Sequence, residues 1–136
     1  MAKKILIVDD DTLFREMLDE VLRAAGYETT QAEDGREGFA VFKTYTPDLV
    51  VTDIRMPKRN GVQMAQDILE ISPQTPIIFI SGWYDPRRLF SEKGLDATFL
   101  KNDAFCIHFL RKPFRLPQLL TLIEKVAAPC TKHRAA

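Results

Sequence analysis

The chain has 136 residues, 46% of them hydrophobic, which suits one compact domain with its own core. Lys and Arg total 19 and Asp and Glu total 19, so the basic surplus of a typical nucleic-acid-binding domain is missing. No apolar run reaches the length of a membrane span or a signal peptide, and Met1-Ala2-Lys3-Lys4 leads directly into a short strand. The two cysteines, Cys106 and Cys130, have neither metal-ligand spacing nor the density of a disulfide scaffold. They read as reduced thiols of a cytoplasmic protein.

Ile5-Leu6-Ile7-Val8 is a continuous apolar run, the pattern of a strand buried on both faces. Asp9-Asp10-Asp11-Thr12 follows at once. Leu13, Phe14, Met17, Leu18, Val21, Leu22 and Ala25 then recur at helical spacing up to Gly26. Asp11 or Thr12 can cap that helix. Three successive acids exceed what a cap needs, and their mutual repulsion points to a cation site. Thr29 to Ala32 read as a more polar strand nearer a sheet edge, and Asp34-Gly35 opens a helix carrying Phe39, Ala40 and Phe42.

Leu49-Val50-Val51 predicts a second buried strand that stops at Asp53, after which Met56-Pro57 turns the chain away. An acid at the carboxyl end of a parallel strand stands where open α/β sheets place their ligand sites. Taken alone, the stretch reads equally well as a surface turn containing an acid. Asn60-Gly61 leads into a helix with Val62, Ala65, Ile68 and Leu69, stopped before Pro73. Ile77-Ile78-Phe79-Ile80 is a further buried strand ending at Ser81-Gly82. Asp85-Pro86 has the signature of a helix start, with Gly94 beyond its end. Ile107-His108-Phe109-Leu110 gives the fifth strand, ending in Arg111-Lys112-Pro113. The last helix carries Leu116, Leu119, Leu120, Ile123 and Val126, and residues 127–136 form a short polar tail.

Five strands alternating with five helices predict an α/β fold: a doubly wound parallel sheet with helices on both faces. Asp9, Asp10, Asp53, Ser81 and Lys112 all fall at the carboxyl ends of strands. Each has a plainer reading, as a turn acid, a helix cap or a solvated charge. Their convergence on one sheet edge favours a shared site.

From about residue 3 to residue 126 the chain resembles a response-regulator receiver domain. The motifs that carry the resemblance are Ile5-Leu6-Ile7-Val8-Asp9-Asp10-Asp11, Asp53-Ile54-Arg55-Met56-Pro57 with Gly61, Phe79-Ile80-Ser81-Gly82, and Lys112-Pro113-Phe114. Any one is weak; together they are specific. The resemblance implies a flavodoxin-like five-stranded sheet in the order 2-1-3-4-5. It also implies a signalling switch of a two-component or phosphorelay pathway rather than an enzyme.

A carboxylate can attack phosphorus to form an acyl phosphate, and the incoming phosphoryl group brings negative charge to an already acidic pocket. A cation with oxygen ligands is therefore required. Mg²⁺ suits that donor set, with Mn²⁺ as the alternative. By resemblance, Asp53 is the phosphoacceptor, and Asp10, Asp53 and the backbone carbonyl of Arg55 bind the metal. Asp9 acts through a metal-bound water. Lys112 and Ser81 contact phosphoryl oxygens, and Ser81 with Phe109 forms the switch. The implied donor is a phosphohistidine on a sensor histidine kinase or a histidine phosphotransfer protein. About ten residues after the last helix cannot build an output domain, so the expected output is binding to a downstream protein or relay of the phosphoryl group. The expected docking face combines the fourth helix, the fifth strand and the last helix, with no nucleic-acid or membrane partner. The alternative is a receiver-fold interaction module that works without phosphorylation.

Two departures from the family pattern stand out. Phe109 lacks the hydroxyl a tyrosine would offer at the switch position. Ser81 and Lys112 are also 31 positions apart, more than one helix of about 11–12 residues and two loops of about 2–6 residues account for. The segment 83–106 is therefore atypically long, and Gly94 to Lys101 offers a rival register with Lys101 as the site lysine. Pro113 after Lys112, and the amphipathic helix that follows, favour Lys112. The extra residues 94–106 include Leu95, Phe99, Leu100 and Phe105, an apolar set expected either to form a partner surface or to fold back on the core.

Overall fold

Ile5 and Ile7 pack on one face of the sheet, Leu6 and Val8 on the other, and all four are buried. That alternation is the two-residue period of a strand applied where both faces are covered. The computed structural model describes residues 3–82, 99 and 102–127. The described elements are β1 (Lys4–Val8), α1 (Thr12–Ala24), β2 (Glu28–Ala32), α2 (Gly35–Tyr45), β3 (Leu49–Asp53), α3 (Gly61–Ile71), β4 (Ile77–Ser81), β5 (Ile107–Arg111) and α4 (Leu116–Ala127). All strand pairs are parallel, in the order β2-β1-β3-β4-β5. The polar strand Glu28–Ala32 is indeed an edge strand.

Leu18 and Leu22 of α1 and Leu119, Ile123 and Val126 of α4 cover the face that holds Ile5, Ile7, Val51 and Ile78. Phe42 of α2 with Ala65, Ile68 and Leu69 of α3 covers the face that holds Leu6, Val8, Val50 and Phe79. The helix starts carry side-chain caps of the ordinary kind. Asp11 caps α1 by accepting from the Phe14 N–H, Asp34 caps α2 by accepting from the Glu37 N–H, and Asn60 with Gln63 forms a capping box on α3.

The helix expected from Asp85 to Gly94 lies outside the described residues, as do Trp83, Leu95, Leu100, Lys101 and the tail. Phe99 and Phe105 are half-buried against the core beside α3, with ring centroids 6.4 Å apart in an edge-to-face arrangement. These two members of the extra apolar set fold back on the core. Cys106 corrects a further expectation: it is disulfide-bonded, not a reduced thiol. Spacing along a chain carries no information about separation in space, and separation in space decides whether a bridge can form. Cys130 lies outside the described residues.

Candidate functional site

The chain leaves β1 toward β2 on one side and leaves β3 toward β4 on the other. Connections that diverge this way open a crevice at the carboxyl ends of the two strands. Val8 pairs with Thr52 across that junction, so Asp9 and Asp53, the next residues on each strand, stand side by side. Carboxylate oxygens of Asp9, Asp10 and Asp53 all lie within 4.8 Å of one another. Asp9 is buried, Asp53 is half-buried and Asp10 is exposed.

Local bonds hold Asp9 and Asp53 in place. Asp9 Oδ1 accepts from the Asp11 N–H at 2.8 Å, and Asp53 Oδ1 accepts from the Ile54 N–H at 2.7 Å. Arg15, a nearly buried guanidinium on α1, donates from Nη1 to the Asp9 carbonyl at 2.6 Å and from Nε to Gln31 of β2 at 2.9 Å. Composition alone did not reveal Arg15 as a brace. The available signal was its place in the Arg15-Leu18-Leu22 buried stripe, where a charge needs a partner.

The loop after Asp53 is pinned from two sides. Gly61 donates to the Ile54 carbonyl at 2.8 Å, and Gly35 donates to the Arg59 carbonyl at 2.8 Å. A side chain on Gly61 would run into the Asp53 carbonyl oxygen, and one on Gly35 would run into that of Arg59. Both glycines are therefore required by close backbone approach. Arg59 forms a two-point ion pair with Asp67 at 2.6 and 2.9 Å, tying the same loop to α3. Arg55 lies in this loop with its side chain exposed.

Lys112 immediately follows β5. Its N–H donates to the Ser81 carbonyl at 2.9 Å, and its ammonium lies 3.6 Å from Asp9 Oδ2. The Lys112-Pro113 peptide is cis. Ser81 ends β4 and is buried. Phe109 of β5 pairs with Phe79 of β4 and stacks on it, with centroids 5.3 Å apart and planes inclined by 20°. Asp9, Asp10, Asp53, Ser81 and Lys112 thus share one end of the sheet, and Phe109 lies inside β5.

The electrostatics are those of crowded acids. Burial, followed by the charge of Asp9, pushes the Asp53 carboxyl up to about 6, while the Ile54 N–H and Lys112 pull it back. Burial also raises Asp9, opposed by the Asp11 N–H and Lys112. Three clustered carboxylates offer the oxygen donors that a hard divalent cation takes.

Residues 5–124 match the family model of the response regulator receiver domain. The chain is 33% identical to the chemotaxis protein CheY of Thermotoga maritima over 93% of its own length and 99% of that protein. It is also 33% identical to the transcriptional regulatory protein PdtaR of Mycobacterium tuberculosis, over 91% of its own length but 56% of that protein. A CheY-like receiver domain protein from Methanospirillum hungatei superposes with a TM-score of 0.81 over the full length of both chains, at 24% identity. The response regulator TrrA from Thermotoga maritima, solved in complex with Mg²⁺ and BeF, superposes with a TM-score of 0.75 at 30% identity, over 91% of this chain and 98% of that one. With its sheet order, its acidic crevice and these relatives in agreement, the chain belongs to the response regulator receiver domain family of two-component signalling.

Proposed function

We propose that this receiver takes a phosphoryl group from a phosphohistidine onto Asp53 and signals by binding a protein partner. The observation that carries the reading is the meeting of Asp9, Asp10 and Asp53 within 4.8 Å, beside the Lys112 ammonium. An Asp53 oxygen attacks phosphorus, the new O–P bond forms as the P–N bond breaks, and the electron pair returns to the imidazole nitrogen. The carboxylate must be ionised to attack; burial and the charge of Asp9 oppose that form, and a nearby positive charge favours it.

Asp10, Asp53 and the Arg55 carbonyl would hold Mg²⁺, with Asp9 acting through a water. A bound Mg²⁺ supplies positive charge that offsets both the carboxylates and the arriving phosphoryl oxygens. Lys112 supplies a second positive charge from the β5 side, and the Ser81 hydroxyl supplies a hydrogen bond from the end of β4. Rearrangement at Ser81 and the packing of Phe109 on Phe79 would then carry the change to the face formed by β5, α4 and the segment before β5. The donor is a sensor histidine kinase or a histidine phosphotransfer protein, in keeping with the receiver family.

Incubation with acetyl phosphate and Mg²⁺, followed by intact mass, tests the reading. The expected result is one added phosphoryl mass that disappears when Mg²⁺ is chelated before the donor is added. No mass gain, or a gain indifferent to Mg²⁺, would contradict it.

A further inference from the structure

Phe14 and Lys112 lie far apart in sequence, yet the Lys112 ammonium sits 3.9 Å from the centre of the Phe14 ring. The same ring meets Phe114 edge-on, with centroids 6.2 Å apart and planes inclined by 81°. Asp9 Oδ2 approaches the ammonium at 3.6 Å. Lys112 is thus held between a carboxylate and an aromatic face. A second ring from its own loop supports that face.

A lysine carries a point charge on a flexible four-carbon stem, so a bond to one carboxylate does not fix where the charge rests. The Lys112 side chain is one-quarter exposed, leaving room for the ammonium to leave the pocket for water. The Phe14 ring attracts the cation through its quadrupole and closes one side of its surroundings. Its backbone is fixed as well, because the Phe14 N–H is the donor to the Asp11 cap. The cap of α1 therefore sets the position of the wall against which Lys112 rests.

We infer that Phe14, backed by Phe114, is a positioning residue that keeps the Lys112 ammonium over the acidic crevice, ready for the phosphoryl oxygens. This rests on Asp53 as phosphoacceptor and adds a residue on α1 to the transfer machinery. The ring acts through the lysine, whose ammonium it faces.

The test compares Phe14→Leu, which keeps apolar bulk without the ring, with Phe14→Tyr, which keeps the ring. Phosphorylation by acetyl phosphate is followed by intact mass, beside Mg²⁺ affinity by calorimetric titration and melting temperature. The expected result for Phe14→Leu is phosphorylation about two- to tenfold slower, with Mg²⁺ affinity and melting temperature held. Phe14→Tyr is expected to stay within about twofold of the parent. Leu reacting at the parental rate would overturn the inference. So would a slowing that tracks lost Mg²⁺ binding or lost stability, or one that Tyr shares equally. A parent chain that gains no phosphoryl mass would instead fault the phosphoacceptor reading itself, and this inference with it.

Discussion

The Lys112 ammonium lies 3.6 Å from Asp9 Oδ2, joining the end of β5 to the end of β1 across the crevice. Asp9 is almost fully buried and its pKa is raised by that burial, so this attraction offsets part of its desolvation. Lys112→Ala is expected to cost about 1–2 kcal/mol near pH 8. The attraction exists only while Asp9 and Asp53 are ionised; burial raises Asp9 above its ordinary value and Asp53 to about 6. The cost should therefore shrink near pH 5, which paired thermal melts of the two proteins would register.

Asp53 should also leave its own mark on stability. Its carboxyl titrates at about 6 in the fold against an ordinary value of 3.8, so the folded state holds that proton more tightly than the unfolded one. The stability it contributes is fully present below the unfolded value and is lost as pH rises through the folded one. Asp53→Asn cannot ionise. In metal-free buffer the variant should gain on the parent across that window and level off on the order of 2 kcal/mol ahead. Superimposable pH profiles would remove the crowded-acid account.

Much of this site was legible because residue type and position coincide. Asp9, Asp53, Ser81 and Lys112 each end or directly follow a strand, and continuous apolar runs mark those ends clearly. The helix starts at Asp34-Gly35 and Asn60-Gly61 were legible from residue type as well, while Asp11 and Thr12 remained equivalent as caps until the Phe14 N–H chose Asp11. Arg15 was hidden because its partner is the Asp9 backbone carbonyl, which leaves no residue-type signal. The Phe14-Lys112 contact was hidden because it joins α1 to the loop after β5, and no spacing rule reaches that far. The bond at Cys106 was missed for a similar reason, since two cysteines in a long chain give no hint of their distance.

Gly61 offers a test of how tightly the Asp53 loop must be held. A methyl group there meets the Asp53 carbonyl, which is backbone and cannot rotate aside. Gly61→Ala should destabilise the fold by about 1–3 kcal/mol, in the range of overpacked sites. It should also slow phosphorylation, because the displaced backbone carries the acceptor. Chemical denaturation and the phosphorylation rate measured on the same variant would check both effects. An alanine that costs neither would mean the loop has slack.

On this proposal Asp53 itself carries the phosphoryl group. An acyl phosphate is reduced by borohydride to the alcohol, whereas a free carboxylate is not, so the modified residue can be read by peptide mapping. After acetyl phosphate and Mg²⁺, the account predicts homoserine at position 53, and none there when Mg²⁺ is chelated first or when Asp53→Asn is used. Homoserine at position 9 or 10 instead, or equal labelling of the Asp53→Asn protein, would contradict it.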